Sequence, residues 1–313
     1  MLRKKRIQII AEAGVNHNGS ITVAKKLIDG AAAAGADYIK FQLFKAKDLA
    51  TQNTDKADYQ VKQTGKIQSQ YDMLKEIELS FASHIKLKHY ANKKKIKFLT
   101  SAFDLDGLDS IMKMKLDYIK IPSGEITNIP YLRKVGKFNV PTILSTGMST
   151  INEVSTAIKI LKKAGLKNKN LTVLQCSSEY PSPVKDANMN VLNTFKKKFR
   201  VNIGYSDHTL GFESSIIAVS FGAKIIEKHI TINRKMRGPD HSASLSLEDF
   251  KSFVRNIRNA EIALGSSIKK PSSIEKNNIR ICRKKILTKR KIKKGEKFTN
   301  NNVSTLRSNV GIS

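Results

Sequence analysis

The chain has 313 residues, 40% of them hydrophobic, which is enough to bury a full core as one large barrel or as two ordinary domains and excludes a disordered chain. Its 57 Lys and Arg against 26 Asp and Glu give a formal net charge of +31, mostly lysine spread along the whole sequence beside abundant Asn and Ile. No stretch approaches membrane-spanning length and the basic start MLRKKRIQII is too short in apolar residues for a signal-peptide core, so a cytoplasmic protein is expected.

Short apolar runs followed by helical periodicity begin with a strand at Ile7–Ala13, near whose end stands Glu12. His17 follows in a loop. The second strand, Tyr38–Phe44, is interrupted by Lys40, and the helix beyond it carries His84 and His89, read as inert surface residues. A third strand at Lys97–Phe103 ends on Thr100 and Ser101. The fourth, Tyr118–Ser123, contains Lys120 and runs through Ser123 into Glu125. The fifth, Thr142–Met148, holds Ser145 and Gly147 and precedes an amphipathic stretch at Ile151–Ala164. The sixth, Leu171–Ser178, includes Cys176 and closes on Ser177 and Ser178, with Glu179 and Tyr180 next. The seventh, Val201–Asp207, brings Ser206, Asp207 and then His208. The eighth, Lys224–Thr231, carries Glu227 and His229; the loop beyond holds Asp240 and His241, and a helix at Leu247–Leu264 completes the series.

Strands alternating with helices pair in parallel, and eight such units in roughly 250 residues match a closed (β/α)₈ barrel, an α/β TIM barrel, better than an open sheet. A GxGxxG dinucleotide fingerprint is missing after the first strand. In such barrels the chemistry sits at the carboxyl ends of the strands, where the residues just named gather.

Barrel strands are buried on both faces and normally read as aliphatic runs, so Lys40 and Lys120 each require an anionic partner: a buried carboxylate or a bound phosphate or carboxylate. The hydroxyls and glycines at the same ends outline an anion-binding mouth. His208 and His229, on adjacent strands, read either as a pair for a borderline divalent metal or as two satisfied core histidines. Asp207 and Glu227 flank them and would orient the imidazoles or join the metal shell.

From Pro271 the sequence turns polar and Lys-rich, and KKGEKFTNNNV reads as a turn between two short elements of a small appended unit. The densest charge, RKKILTKRKIKK at 283–294, is where a nucleic-acid-binding reading would live; it lacks interleaved aromatics and leaves the barrel mouth unexplained. Cys176 and Cys282 have no CxxC spacing and are expected as free thiols.

Eight motifs in order carry a resemblance: IIAEAGVNHNG at 9–19, GADYIKFQ at 35–42, YIKIPSGEITNIPYLR at 118–133, PTILSTGM at 141–148, EYPSP at 179–183, GYSDHTLG at 204–211, IIEKHIT at 225–231 and GPDHSAS at 238–244. With them the chain resembles the sialic acid synthases, which make neuraminic, legionaminic and pseudaminic acids, and IPSGEITNIPYLR with EYP is most similar to the legionaminic branch. The resemblance implies condensation of phosphoenolpyruvate with 2,4-diacetamido-2,4,6-trideoxymannose, the alternatives being N-acetylneuraminate or pseudaminate synthesis by the same chemistry. It implies a barrel over 1–267, a linker over 268–281 and a short, partial antifreeze-like (SAF) domain over 282–313, in a homodimer whose cap reaches the partner's site. Phosphoenolpyruvate would meet Lys40, Ser101, Lys120, Ser123, Ser178 and Ser206, with Ser178 standing where many members have asparagine. The sugar would meet Glu125, Tyr180, Asp240 and Arg307. A divalent metal, manganese before magnesium or cobalt, would be held by His208 and His229, with Glu12 and Glu125 the further catalytic groups. No membrane or nucleic-acid partner is expected.

Overall fold

The computed structural model describes residues 6–64 and 68–313. The first five residues of the basic start therefore lie outside it. Eight parallel strands succeed one another in chain order: β1 (Gln8–Gly14), β2 (Tyr38–Leu43), β3 (Lys97–Ala102), β4 (Ile119–Ile121), β5 (Thr142–Ser145), β6 (Leu171–Gln175), β7 (Asn202–Asp207) and β8 (Ile225–Thr231). β8 pairs back onto β1, Gln8 to Ile225 and Glu12 to His229, so the sheet closes into the expected barrel. A two-residue strand, β9 (Leu245–Ser246), extends β8 in parallel.

Strand alternation explains where each side chain goes. One set of residues faces the barrel axis, where Ile10, Tyr38, Leu99, Ile143, Leu174 and Ile225 form a sealed aliphatic and aromatic plug. Two residues further along five of those strands, toward their carboxyl ends, stand Glu12, Lys40, Ser101, Ser145 and Glu227; Cys176 holds the same place just past β6, and Lys120 faces inward from β4. The opposite parity, including Ile9, Ile39, Phe98, Ile119, Val173, Ile203 and Ile226, packs against the surrounding helices as the main core.

Those helices are α1 (Ile21–Ala34), α5 (Phe81–Lys93), α6 (Leu105–Met114), α7 (Ile129–Phe138), α8 (Ile151–Lys163), α9 (Val191–Phe199), α10 (Glu213–Ser220) and α11 (Leu247–Ala263). Local signals set their ends. Ser20 caps α1 by accepting from Val23 N–H, Gly35 takes the left-handed conformation that ends it, and Thr150 with Glu153 forms a capping box on α8. Most strands are shorter at their carboxyl ends than the apolar runs suggest, because the chain leaves the ladder there. After β4, Pro122 has no N–H to give and Ser123–Glu125 tightens into a 3₁₀ turn.

Between β2 and α5 the chain makes an excursion with three short helices of its own: α2 (Ala46–Leu49), α3 (Asp58–Thr64) and α4 (Gln70–Ile77). Compactness divides the chain after Leu264. The second unit, Gly265–Ser313, contains α12 (Ser273–Cys282), capped by the Ser272–Glu275 box, and an antiparallel hairpin of β10 (Lys284–Thr288) and β11 (Val303–Arg307). The polar KKGEKFTNNNV stretch does lie between two short elements. Among the described residues no helix is long and apolar enough to cross a membrane.

Candidate active site

The inward layer above the plug is a closed set of charges. Lys40 Nζ lies 2.8 Å from Glu12 Oε2 and 3.4 Å from Glu227 Oε2, while Lys120 Nζ lies 3.1 Å from Glu227 Oε1. Ser206 Oγ donates to the same Glu227 oxygen at 2.8 Å, and Lys40 Nζ donates to Ser101 Oγ at 3.4 Å. All four charged groups are buried. Both lysines thus have carboxylate partners, two ammoniums against two carboxylates, yet all four line a cavity of about 550 Å³ rather than a dry core. Their electrostatics differ. Burial opposes charge on Glu227, but Lys120 and then Lys40 overcome it and hold that carboxyl well below its usual range. On Glu12 burial prevails over Lys40, and the carboxyl is pushed up to about 7.

The same cavity is lined by Ser101, Ser123, Glu125, Ser178, Tyr180, Ser206, His208, His229 and Asp240. Every barrel residue that the resemblance assigned to a substrate, the metal or catalysis is therefore gathered in one place, whereas Thr100, Gly147, Ser177 and Asp207 are not among the lining residues. Arg307 belongs to the second unit, exposed at the end of β11. Ser123 Oγ accepts from Gly147 N–H at 3.0 Å and sits 3.4 Å from Cys176 Sγ. A Cβ at Gly147 would come within 2.1 Å of Ser178 Oγ and 2.9 Å of Ser123 Oγ, so any larger residue there must displace both hydroxyls. Glu125 is raised by burial, a shift that the Asn128 amide, donating at 2.6 Å, partly offsets. Burial also lifts Asp240 to about 6, with Lys40 opposing.

His208 and His229 meet with ring centroids 5.3 Å apart, and Tyr180 lies against both, at 4.3 Å and 5.4 Å. Burial lowers both imidazoles, His208 to about 4, so they are neutral and carry a lone pair each. His208 Nδ1 is 2.5 Å from the Ser177 carbonyl, which places its proton there and leaves Nε2 as the bare nitrogen. Ser206, 3.3 Å from that nitrogen, gives its one proton to Glu227 instead. His229 Nδ1 is buried with no hydrogen-bond partner, 3.9 Å from Asp240 Oδ2. Among the described residues no three His, Cys, Asp or Glu converge as ligands. Two bare imidazole nitrogens fit a divalent metal whose remaining positions go to water and substrate.

Several expectations are corrected. Asp207 neither orients an imidazole nor reaches the mouth: it has outer parity and accepts from Thr209 N–H at 2.9 Å, Thr209 Oγ1 at 2.7 Å and Ser215 Oγ at 2.6 Å. Glu227 serves the lysines rather than the histidines. Thr100 also has outer parity, on the face of β3 shared by Phe98 and Ala102. His84 is buried on α5 against the edge of Phe98, because that helix turns one of its two histidines inward. His17 and His241 are buried too; His241 bridges Thr231 Oγ1 at 2.7 Å and Asn18 Oδ1 at 3.1 Å, tying the β1 loop to the β8 loop. Cys176 and Cys282 are free thiols, as expected.

Sequence reasoning missed a third buried lysine on the barrel strands. Lys228, between Glu227 and His229, points outward to Asp207 at 3.1 Å and to the carbonyls of Thr209 at 2.5 Å and Gly211 at 3.0 Å. It pins the loop that carries His208. Replacing Lys228 by Met strands the Asp207 charge, and urea unfolding should show a loss of about 3 kcal/mol. The double change Lys228→Met with Asp207→Asn should recover part of it. Also missed was Tyr59 of α3, whose ring lies 5.1 Å from Tyr180 at the cavity wall.

A family model described as the NeuB family matches residues 27–269. The chain is 46% identical over 309 residues to the N,N'-diacetyllegionaminic acid synthase of Campylobacter jejuni, covering 99% of this chain and 92% of that protein. It is 41% identical over 306 residues to the Legionella pneumophila protein of the same name, covering 97% and 86%. The crystal structure of N-acetylneuraminic acid (sialic acid) synthetase from Leptospira borgpetersenii, in complex with citrate, superposes with a TM-score of 0.75 at 32% identity, covering 88% of this chain and 90% of that one.

Proposed function

Since the chain belongs to the NeuB family, the phosphoenolpyruvate-condensing sialic acid synthases, we propose that it joins phosphoenolpyruvate to 2,4-diacetamido-2,4,6-trideoxymannose to give N,N'-diacetyllegionaminic acid and phosphate. The observation that carries this reading is the buried lysine pair: Lys40 and Lys120 face one cavity beneath two neutral imidazoles, a floor for a small multiply charged anion with a carbonyl-polarising site beside it.

In this reading the phosphate and carboxylate of phosphoenolpyruvate lie against Lys40 and Lys120, with the hydroxyls of Ser101, Ser123, Ser178 and Ser206 fixing their orientation. The incoming anion takes over the ammoniums from Glu12 and Glu227. Glu125, Tyr180 and Asp240 hold the open-chain sugar. Carbon 3 of phosphoenolpyruvate bonds to the aldehyde carbon, and the aldehyde oxygen gains a proton, for which Glu125, raised by burial, is the donor. Water then adds at the cationic carbon 2 and loses its proton, and phosphate departs by cleavage of its bond to that carbon. A divalent metal, manganese first, would be held by His208 and His229 and supplies Lewis-acid polarisation of the aldehyde when bound. The homodimer belongs to the same reading. Pre-organised ammoniums in a site screened from water account for much of the rate.

The direct test is phosphate release from phosphoenolpyruvate with Mn²⁺, comparing the diacetamido sugar, N-acetylmannosamine and no sugar. Release with the diacetamido sugar, at least about tenfold above N-acetylmannosamine in kcat/KM, is the expected result. Equal or greater release with N-acetylmannosamine would reject the sugar assignment, and release with neither would reject the reaction.

A further inference from the structure

The cavity is chemically divided. Its floor, from the strand ends, is ionic and hydroxylic, whereas the excursion between β2 and α5 supplies an apolar patch of Leu49, Met73, Leu74 and Ile77 near Phe103, beside a polar stretch of Asp58, Tyr59, Gln60 and Gln70. Leu49, Leu74 and Phe103 pack on the small cluster of Val15, Phe44 and Ile77 yet stay only half-buried, so apolar surface is left facing the cavity. Polar groups on this wall are partly engaged within it: Gln60 Oε1 accepts from Ala57 N–H at 3.0 Å and from the Gln70 amide at 3.4 Å.

The wall is also fixed. Gln70 N–H donates to Thr54 O at 2.7 Å, Ala46 N–H to Glu78 Oε2 at 2.9 Å, and Arg237 Nε, from the loop before Asp240, to Thr64 O at 2.6 Å. The excursion is therefore bound at both ends and in the middle.

We propose that this wall is the element that chooses the sugar, by seating the methyl of the 4-acetamido group and the C6 methyl of the acceptor. The inference rests on the proposed function and deepens it. Carbon 1 of the sugar has to lie over the strand ends where the reaction occurs, so carbons 4 to 6 fall toward the wall. Compared with N-acetylmannosamine, the diacetamido-trideoxy sugar exchanges two hydroxyls for an acetamido group and a hydrogen, which adds two apolar methyl groups at those positions. Apolar surface rewards them and gives the lost hydroxyls no partner.

The test is the ratio of kcat/KM values for the diacetamido sugar and N-acetylmannosamine, measured on one preparation each of the native chain, Leu74→Asn and Phe103→Ala, with Leu74→Ala as a milder change. Because both sugars meet the same enzyme, the ratio does not depend on how much of a variant has folded. The expected result is a ratio reduced about 10–200-fold in the variants, the loss falling chiefly on the diacetamido sugar. A native preference for the diacetamido sugar that survives within about twofold in all variants would overturn the wall's role and leave the proposed function standing. A native preference for N-acetylmannosamine would overturn both.

Discussion

Replacing Glu227 by Gln should lower the unfolding free energy by about 3–5 kcal/mol, and the same variant should gain more stability from phosphoenolpyruvate than the native protein does. Glu227 faces two ammoniums and one hydroxyl while buried. Glutamine keeps the shape and can still accept from Ser206, but it removes the charge, leaving Lys120 in particular with no carboxylate within bonding distance. In the native chain an arriving anion must displace carboxylates that already satisfy the lysines. In the variant it supplies a charge that is missing. Urea unfolding with and without phosphoenolpyruvate reads this directly, since a saturating ligand stabilises in proportion to the logarithm of its concentration over Kd. A tenfold tighter Kd would appear as about 1.4 kcal/mol of extra stabilisation. Turnover should fall nonetheless, because tighter ground-state binding of the anion does not lower the barrier. If phosphoenolpyruvate stabilises the variant no more than the native protein, the lysines are structural cations and the anion binds elsewhere.

That the lysines mattered was legible from the sequence, because a charge inside an aliphatic barrel strand demands a partner whichever face it takes. Which face it takes was not. Lys40 and Lys228 both interrupt buried strands, yet one faces the cavity and the other Asp207 behind the sheet, and only the register separates them. The same parity moved Asp207 and Thr100 out of the site. With the plug residues fixed, counting two forward recovers Glu12, Lys40, Ser101, Cys176 and Glu227 together. The excursion over 46–77 escaped for a different reason: α2 has four residues, α3 seven and α4 eight, and periodicity needs a window longer than any of them to declare a helix. Tyr59 and the apolar wall were hidden with it. His84 was misplaced because its helix is lysine-rich and weakly patterned, so the inward stripe through His84, Leu87 and Ala91 is drowned by the charges around it.

Two buried histidines give the sharpest contrast, and His229→Ala is expected to fail in a way that His241→Ala does not. Both rings are buried. His241 has each nitrogen in a hydrogen bond, to Thr231 and to Asn18, so truncating it removes two bonds and orphans their partners. That should cost about 1–3 kcal/mol in urea unfolding, with modest effect on metal uptake. His229 Nδ1 has no bond to lose. Its removal deletes an unsatisfied polar atom and exposes part of Tyr180, so the net change in stability should be small. What it takes away is one of the two imidazoles that, among the described residues, line the cavity. Mn²⁺ affinity in equilibrium dialysis should drop more than about 100-fold, beyond the range for losing a group that merely supports a ligand. Turnover should drop about 1,000-fold or more, the equivalent of several kcal/mol of carbonyl polarisation. The opposite pattern, a destabilised His229→Ala that binds Mn²⁺ as tightly as the native chain, would make His229 a core residue and His208 an unaided one. An unpartnered ring nitrogen in a buried site is costly to keep. A ring left free to bind a metal accounts for that cost better than packing does.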